Sequence, residues 1–249
     1  MQLAQYQFKP PLLPSLAFVL IFPVLLALGF WQLDRAEQKQ QILSERSERG
    51  GDQALDLGDV RPLGAADRYR AALVSGRYLE DRHWLLDNRM RAGRAGYHVF
   101  TLFALDGPPE GRAVLVNRGW VPVGPSREFL PTVTTPKGRL SLRGRLDLPA
   151  SVGIELDAGD LTGLAPVMVV QHLDLDELAA ATGADLLPYA LVLDEGETGV
   201  FDRDWSRAPG ITPEKHLGYA VQWFALALAL LIIYVGVNTR RAGVSNHDE

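Results

Sequence analysis

The sequence predicts a membrane protein of the α+β class, in which two terminal transmembrane helices bracket a β-rich soluble domain. One observation is a pair of long uncharged apolar runs, residues 10–33 and 217–239. Each is long enough to cross a hydrocarbon core of about 30 Å as one helix. The other is the segment between them, where short runs rich in Val, Leu, Tyr and Phe alternate with Gly, Pro and Asp clusters. Such alternation is typical of strands and turns.

The first apolar run is expected to be a retained helix and not a cleaved signal peptide. It is longer than the roughly 7–15 apolar residues of a signal peptide, and it has no small-x-small cleavage motif before Asp34. Good helix formers continue from residue 31 to Arg49, so the helix is expected to extend out of the membrane and to stop at Gly50. The predicted boundaries are 1–9 for the N-terminal tail and 10–33 for the first crossing.

Residues 34–215 are predicted to form an antiparallel β-barrel-like or sandwich-like domain with one short helix. This length is sufficient for one hydrophobic core. The short helix is expected at residues 174–182, before Gly183. The predicted strands are residues 69–78, 83–88, 97–105, 113–121, 140–146, 166–172 and 189–194.

The second crossing is predicted at residues 216–239, after a helix-starting segment. Thr212 suits the N-cap, Pro213 the first helical position, and Glu214 the positive end of the helix. Two crossings place both chain ends on one side of the membrane.

Flanking charges predict which side that is. Lys9 precedes the first crossing and Arg240 and Arg241 follow the second, so the positive-inside rule places both tails, 1–9 and 240–249, in the cytoplasm. Arg35 and Lys39 lie on the opposite flank, but a long domain crosses largely regardless of its charge. We therefore expect a multi-pass protein of the inner membrane with an extracytoplasmic, periplasmic central domain.

Composition and motifs exclude several functional classes. The formal net charge of -5 argues against nucleic acid as a partner, and the lack of cysteine excludes disulfides and thiolate metal sites. No phosphate loop, nucleophile elbow, zinc-protease motif or dinucleotide fingerprint is found, so no enzyme class is predicted. His83, His98 and His172 are isolated on predicted strands and are interpreted as structural or surface histidines.

The point where the first helix leaves the membrane holds Trp31 and Arg35, one helical turn apart on one face. One interpretation is an aromatic belt at the membrane interface with a snorkelling arginine. The other is part of a ligand site in which Arg35 binds the propionates of a haem.

The start of the second helix holds His216, Tyr219 and Trp223. A histidine that faces lipid is costly, so this position indicates a partner or a ligand. A neutral imidazole can ligate a metal, and haem iron is the natural candidate because haem is amphipathic and accepts an axial histidine. The alternative is an anchor at the level of the lipid headgroups. If the two helices pack together, these three residues form one site with Trp31, Gln32 and Arg35.

Four segments in order along the chain carry a family resemblance. With the two-helix plan, they make the chain resemble a bacterial-type member of the Surfeit locus protein one family, which assembles haem-copper cytochrome c oxidase. One departure is residues 36–38, where many relatives carry an aromatic residue. The four segments are residues 28–35 (LGFWQLDR) with Lys39, residues 86–89 (LDNR) followed by 96–99 (GYHV), residues 114–122 (VLVNRGWVP) and residues 215–224 (KHLGYAVQWF).

The resemblance implies a non-enzymatic role, in which the protein helps to deliver haem a to the catalytic subunit of the oxidase or to stabilise it there. It implies transient haem a as the cofactor and haem contact at His216, through the iron. Together with the boundary residues above, the predicted cofactor site also includes Tyr219, Trp223, Trp31 and Arg35. The expected partners are the catalytic subunit, the lipid bilayer and, as a further candidate, haem a synthase.

A second hypothesis is a membrane-tethered docking module that positions oxidase subunits without binding a cofactor. Its candidate docking residues are Arg118 and Trp120, because residues 117–120 end a predicted strand. The same polar segment suits a structural role, in which side chains lock a hairpin by hydrogen bonds. Both interpretations stay open at this point.

Overall fold

The computed structural model divides the chain into two compact units, residues 1–44 with 207–249 and residues 45–206. The structure describes residues 6–58, 61–125, 128–149, 161, 165–202 and 211–241. The elements in chain order are β1 (Tyr6–Phe8), α1 (Leu12–Gly50), β2 (Leu55–Asp56), a 3₁₀ turn (Ala65–Asp67), β3 (Ala71–Arg91), β4 (Arg94–Leu105), β5 (Arg112–Pro122), β6 (Leu140–Asp147), β7 (Val167–Val170), α2 (Leu175–Thr182), β8 (Asp185–Leu186), β9 (Ala190–Leu193), α3 (Pro213–Asn238) and β10 (Thr239–Arg241).

The first unit contains two long helices, α1 and α3, which are long and apolar enough to cross a membrane by length and composition. α1 continues to Gly50, as the helix formers after residue 31 predict. α3 begins at Pro213, and Thr212 precedes it as the N-cap in extended conformation. The membrane boundaries 10–33 and 216–239 stay predictions, and residues 242–249 of the C-terminal tail lie outside the described residues.

The second unit is a β-rich domain whose strand pairings form a closed circuit. β3 pairs with β4, β4 with β5, β5 with β9, β9 with β6, and β6 returns to β3. A circuit of this kind satisfies the strand edges internally. The expectation of a β-rich domain with one short helix is confirmed. The β5 and β9 pair is parallel, as is the β3 and β7 pair, so the sheet is not purely antiparallel.

One strand of the circuit was predicted as two. The segments 69–78 and 83–88 belong to the single 21-residue strand β3. Its register with β4 shifts between Tyr78 and His83, which is a bulge or irregularity. The first part of β3 pairs with β6 and the second part with β7, so the irregularity lets one strand serve two parts of the sheet.

Helix α2 is closed at both ends by residues whose types suit helix termini. The Asp174 carboxylate accepts hydrogen bonds from the backbone N–H groups of Asp176 and Glu177, at 2.8 and 3.0 Å. Gly183 ends the helix with φ of 69°, in the left-handed region that favours glycine. The buried side chains of α2 join an apolar cluster that includes Trp84.

Arg118 is a cation buried inside the β-rich domain, with 1 % of its surface exposed. Its Nε donates to the carbonyl of Gly199 at 2.8 Å, and its Nη2 donates to the carbonyl of Thr134 at 2.6 Å. The guanidinium also lies over the rings of Tyr78 and Phe201, at 5.1 and 4.8 Å from the ring centroids. Because a buried carbonyl without a donor costs free energy, Arg118 ties two loop segments to the sheet.

Two histidines of the domain are held in the neutral form. Burial, and then the charge of Arg118, lowers the pKa of His83 to about 4. The His83 Nδ1 lies 2.9 Å from the hydroxyl of Thr101. Burial, and then the charge of Arg89, lowers the pKa of His98 to about 4. Folding therefore opposes protonation at both positions.

We predict that the β-rich domain loses stability as the pH falls from about 6.5 to about 4. In this window the unfolded chain binds a proton at each histidine and the folded domain does not, so acid favours unfolding. The stability contributed by the two neutral histidines is fully present above about pH 6.5, and no further stability is lost from them below about pH 4. Each histidine adds a slope of about 1.4 kcal/mol per pH unit.

Denaturant unfolding of the full-length protein in detergent, followed by the circular dichroism of the sheet at several pH values, measures this slope. The variant His83→Gln removes one of the two titrating groups and keeps hydrogen-bonding capacity, so its slope is expected to fall by about half. A variant slope equal to that of the wild type contradicts the assignment.

Candidate functional site

The two long helices of the first unit lie side by side and antiparallel, with a polar contact near each end of their pairing. At one end the Tyr234 hydroxyl donates to Ser15 Oγ at 2.8 Å. At the other end Gln32 Oε1 lies 2.6 Å from His216 Nδ1. The 17 residue steps from Ser15 to Gln32 on α1 correspond to roughly 26 Å at 1.5 Å per residue.

The chain ends beyond the Ser15 end of the pair also meet. β1 pairs antiparallel with β10, and the backbone N–H of Lys9 donates to the carbonyl of Asn238 at 3.0 Å. These backbone contacts bring the segment before α1 next to the segment after α3. The helix pair is therefore tied at this end by backbone as well as by side chains.

Between the two polar contacts, Gly29 permits a close approach of the helices. A Cβ atom added at Gly29 would lie 2.6 Å from the ring of Phe224. The same ring makes an edge contact with Phe30, with 5.2 Å between the ring centroids. Gly29 is about one helical turn before Gln32, so the Phe224 ring packs against α1 close to the point where the Gln32 and His216 side chains meet.

His216 occupies the first turn of α3. Its backbone N–H donates to the carbonyl of Thr212 at 3.2 Å, and the side chain is 7 % exposed. Nδ1 contacts Gln32, whereas Nε2 makes no hydrogen bond with the residues that the structure describes. The ring therefore has one nitrogen held by the protein and one nitrogen that is free to act as a donor atom toward a ligand.

The side chains at the same end of α1 form a second small cluster. The Arg35 guanidinium lies over the Trp31 ring at 5.7 Å from its centroid. Arg35 Nη1 donates to Gln38 Oε1 at 2.9 Å, and Gln38 in turn donates to Asp34 at 2.8 Å. Trp31 and Arg35 are exposed. The cation is held along the helix surface and remains accessible to a carboxylate.

Tyr219 and Trp223 lie on the same helix as His216. Tyr219 is exposed and Trp223 is half-buried. Within the described part of the chain, no hydrogen bond or ring contact joins either side chain to His216. The structure thus pairs Trp31 with Arg35 and His216 with Gln32, and a single cofactor site that contains all five predicted residues stays a prediction.

One residue of this region, Gly29, was not predicted as a site residue, and Gln32 was expected in the site only if the two helices pack together. Gln32 contacts His216, and Gly29 permits the helix approach. A signal for Gln32 was present, because an amide at the end of an apolar run is costly unless it finds a partner. No comparable signal exists for Gly29, since glycine is common in membrane helices.

The predicted docking residues, Arg118 and Trp120, are both buried. The Trp120 indole N–H donates to the carbonyl of Arg89 at 2.7 Å, and the backbone N–H of Trp120 donates to the carbonyl of Asp202 at 2.6 Å. Both side chains therefore have partners inside the domain. Docking at these positions stays a prediction, and it would act through the loops that the two residues hold.

His216 in the helix pair has the chemistry of a protein ligand to haem iron. A histidine nitrogen is one of the protein ligands that haem iron accepts, and His216 Nε2 is a nitrogen without another hydrogen-bond partner among the described residues. The edge of a haem is apolar except for its carboxylates, for which Arg35 is a suitable cation. In the described part of the chain, no group of three or more His, Asp or Glu side chains is placed to hold a metal ion.

Comparison with known proteins identifies the family. A model described as the SURF1 family matches residues 19–228, which is most of the chain. The chain belongs to the SURF1 family. The SURF1-like protein of Rickettsia bellii is 26% identical over 232 residues, which cover 88% of both chains. The SURF1-like protein of Drosophila melanogaster is 27% identical over 243 residues, which cover 91% of this chain and 78% of the relative.

The family membership confirms the resemblance predicted from the sequence. SURF1 proteins are known generally as cytochrome oxidase assembly factors. The matched range contains both ends of the candidate site, from Trp31 and Arg35 on α1 to His216 and Trp223 on α3. The helix pair is thus part of what this chain shares with the family.

We predict that Gly29→Val weakens the pairing of α1 and α3 by about 1–3 kcal/mol, because the added atoms overlap the Phe224 ring. Gly236→Val is the matched control, since a Cβ at Gly236 meets no described atom within 4 Å. Titration of the purified protein with sodium dodecyl sulfate, followed by tryptophan fluorescence, measures the stability of the pair. Equal midpoints for the two variants would contradict the close approach at Gly29.

Proposed function

We propose that this protein assists the assembly of haem-copper cytochrome c oxidase by holding haem a, in transit to the catalytic subunit, at a membrane surface. The observation that carries the proposal is the state of His216. Its Nδ1 is engaged by Gln32, and its Nε2 has no hydrogen bond with the described residues. Such an imidazole has the arrangement of an axial ligand, whose second nitrogen is usually held by a protein acceptor.

The surface of the helix pair supports a lipid environment. Apolar surface in water is unfavourable by about 25 cal/mol per Å², and contiguous apolar surface of this kind is typical of membrane contact. The two polar contacts are separated by roughly 26 Å along the helix, close to the hydrocarbon thickness of about 30 Å. The exposed apolar residues of the two helices include Leu12, Leu13, Leu16, Val19, Leu20, Val24, Val221, Leu226, Leu228, Ile232 and Ile233.

The pairing of the chain ends supports the proposed topology. β1 lies beside β10, as expected when two crossings leave both tails on one side. The basic residues on this side are Lys9, Arg240 and Arg241, and the positive-inside rule then assigns it to the cytoplasm. The proposed location is a bacterial inner membrane, with the β-rich domain in the periplasm.

In this proposal each residue at the Gln32 end of the pair has a separate task. His216 Nε2 ligates the iron, which supplies the one strong bond that retains the haem. Arg35, held over Trp31, pairs with a propionate. The rings of Trp31, Tyr219 and Trp223 offer apolar faces to the macrocycle.

A transient carrier must also release its cargo. His216 is buried, but the rings of Trp31 and Tyr219 and the cation of Arg35 are exposed, so much of the proposed site lies on the surface of the helix pair. Such a site suits haem that passes between neighbouring membrane proteins. The proposed partners are the catalytic subunit of the oxidase and a haem a synthase.

The test is purification of the full-length protein from cells that make haem a. The wild type is expected to carry haem with a Soret band, and His216→Ala is expected to lose most of it because the axial ligand is gone. His172→Ala, in the β-rich domain, is the control histidine variant. An unchanged Soret band in His216→Ala removes His216 as the ligand.

The absence of haem from both proteins would favour the docking hypothesis. That hypothesis makes a distinct prediction for cells without this protein: their oxidase keeps its full haem a content and loses subunit association. The haem hypothesis predicts the opposite, an oxidase deficient in haem a. Haem analysis of the oxidase purified from a deletion strain distinguishes the two.

A further inference from the structure

We propose that Gln32 is a positioning residue for His216, and that its side-chain carbonyl fixes the imidazole in the tautomer that carries its proton on Nδ1. In this tautomer Nε2 has the lone pair and is the only ring nitrogen able to bind a metal. The role of Nε2 as a haem ligand rests on the function proposed above. The tautomer itself does not, and it is measurable in the haem-free protein.

The geometry of the contact carries the assignment. Gln32 Oε1 lies 2.6 Å from His216 Nδ1, slightly shorter than the usual range of about 2.7–3.2 Å for an N–H···O hydrogen bond. With the amide in this orientation its carbonyl oxygen is the acceptor, so the proton between the two atoms belongs to Nδ1. The two residues are 184 positions apart and on different helices, so the contact depends on the helix pairing.

The surroundings strengthen this hydrogen bond. His216 is buried and Gln32 is half-buried, and neither has another side-chain hydrogen bond with the described residues. A hydrogen bond in a medium of low polarity is stronger than one in water, and loss of one partner leaves the other unsatisfied. The ring is therefore fixed in orientation as well as in tautomer.

A second arrangement of the same two side chains makes the opposite prediction. If the Gln32 amide were turned by half a rotation, its NH₂ group would donate to Nδ1. The proton would then lie on Nε2, and this nitrogen would be unable to bind a metal. The tautomer of His216 therefore shows whether Gln32 positions the ring for metal ligation or blocks ligation.

The first experiment measures the tautomer without haem. The full-length protein is labelled with ¹⁵N-histidine, and the His216 signals are assigned by their loss in His216→Gln. At a pH high enough to keep the ring neutral, we expect a protonated Nδ1 and an unprotonated Nε2 in the wild type and in Gln32→Glu, because a carboxylate also only accepts. In Gln32→Leu we expect a mixture of tautomers. A protonated Nε2 in the neutral wild-type ring, or an unchanged pattern in Gln32→Leu, would overturn the proposal.

The second experiment measures the effect on bound haem a. Gln32→Leu is expected to bind haem about 10- to 100-fold more weakly, the usual loss when a partner of a metal-ligating histidine is removed. Gln32→Glu is expected to retain haem and to lower its reduction potential, because a carboxylate makes the imidazole a stronger electron donor. Gln41→Leu and Gln41→Glu, on the exposed surface of the same helix, are the matched controls.

The proposed function and the positioning role of Gln32 are contradicted by different results. If the wild type binds no haem, the proposed function fails and the tautomer measurement still decides the role of Gln32. If the wild type binds haem through His216 and both Gln32 variants have its affinity and potential, the positioning role is contradicted and the proposed function stands.

Discussion

The close approach of two apolar helices at Gly29 is the constraint on which the candidate site depends. The Phe224 ring packs against α1 where Gly29 has no side chain, and one turn further along α1 the side chain of Gln32 reaches His216. A bulkier residue at position 29 would separate the two polar side chains and leave each unsatisfied in an apolar setting. The site is thus a product of helix packing, and its chemistry follows from one hydrogen bond made across the pair.

The β-rich domain is organised on a different principle. Its closed strand circuit is held by an apolar core and by the buried cation Arg118, whose hydrogen bonds tie two loops to the sheet. His83 lies near this cation, and burial together with the charge of Arg118 lowers the pKa of His83, so its ring is neutral. The folded domain therefore loses stability in acid. Each unit therefore contains a polar contact that depends on the packing around it: Gln32 with His216 in the first unit, and Arg118 with its carbonyl acceptors in the second. Each contact can be tested by its own variants.

Much of this organisation follows from local sequence patterns. The two helices, the end of α1 at Gly50 and the caps of α2 all follow from residue types within a few positions of each other. The continuity of β3 and the parallel partners of β5 were missed, because they depend on strands distant in the chain. His216 was a candidate because a histidine near lipid is costly. Gln32 was expected near it only if the two helices pack together, and the hydrogen bond itself was not predicted because 184 residues separate the two.

The function proposed above requires that His216 on this helix pair binds the iron of haem a. Resonance Raman spectroscopy of the reduced, haem-loaded full-length protein detects the iron–histidine stretching band directly. Growth with ¹⁵N-histidine is expected to shift this band to lower frequency, because the bonded nitrogen is heavier. A protein that retains haem but has no band sensitive to the histidine label would contradict the claim.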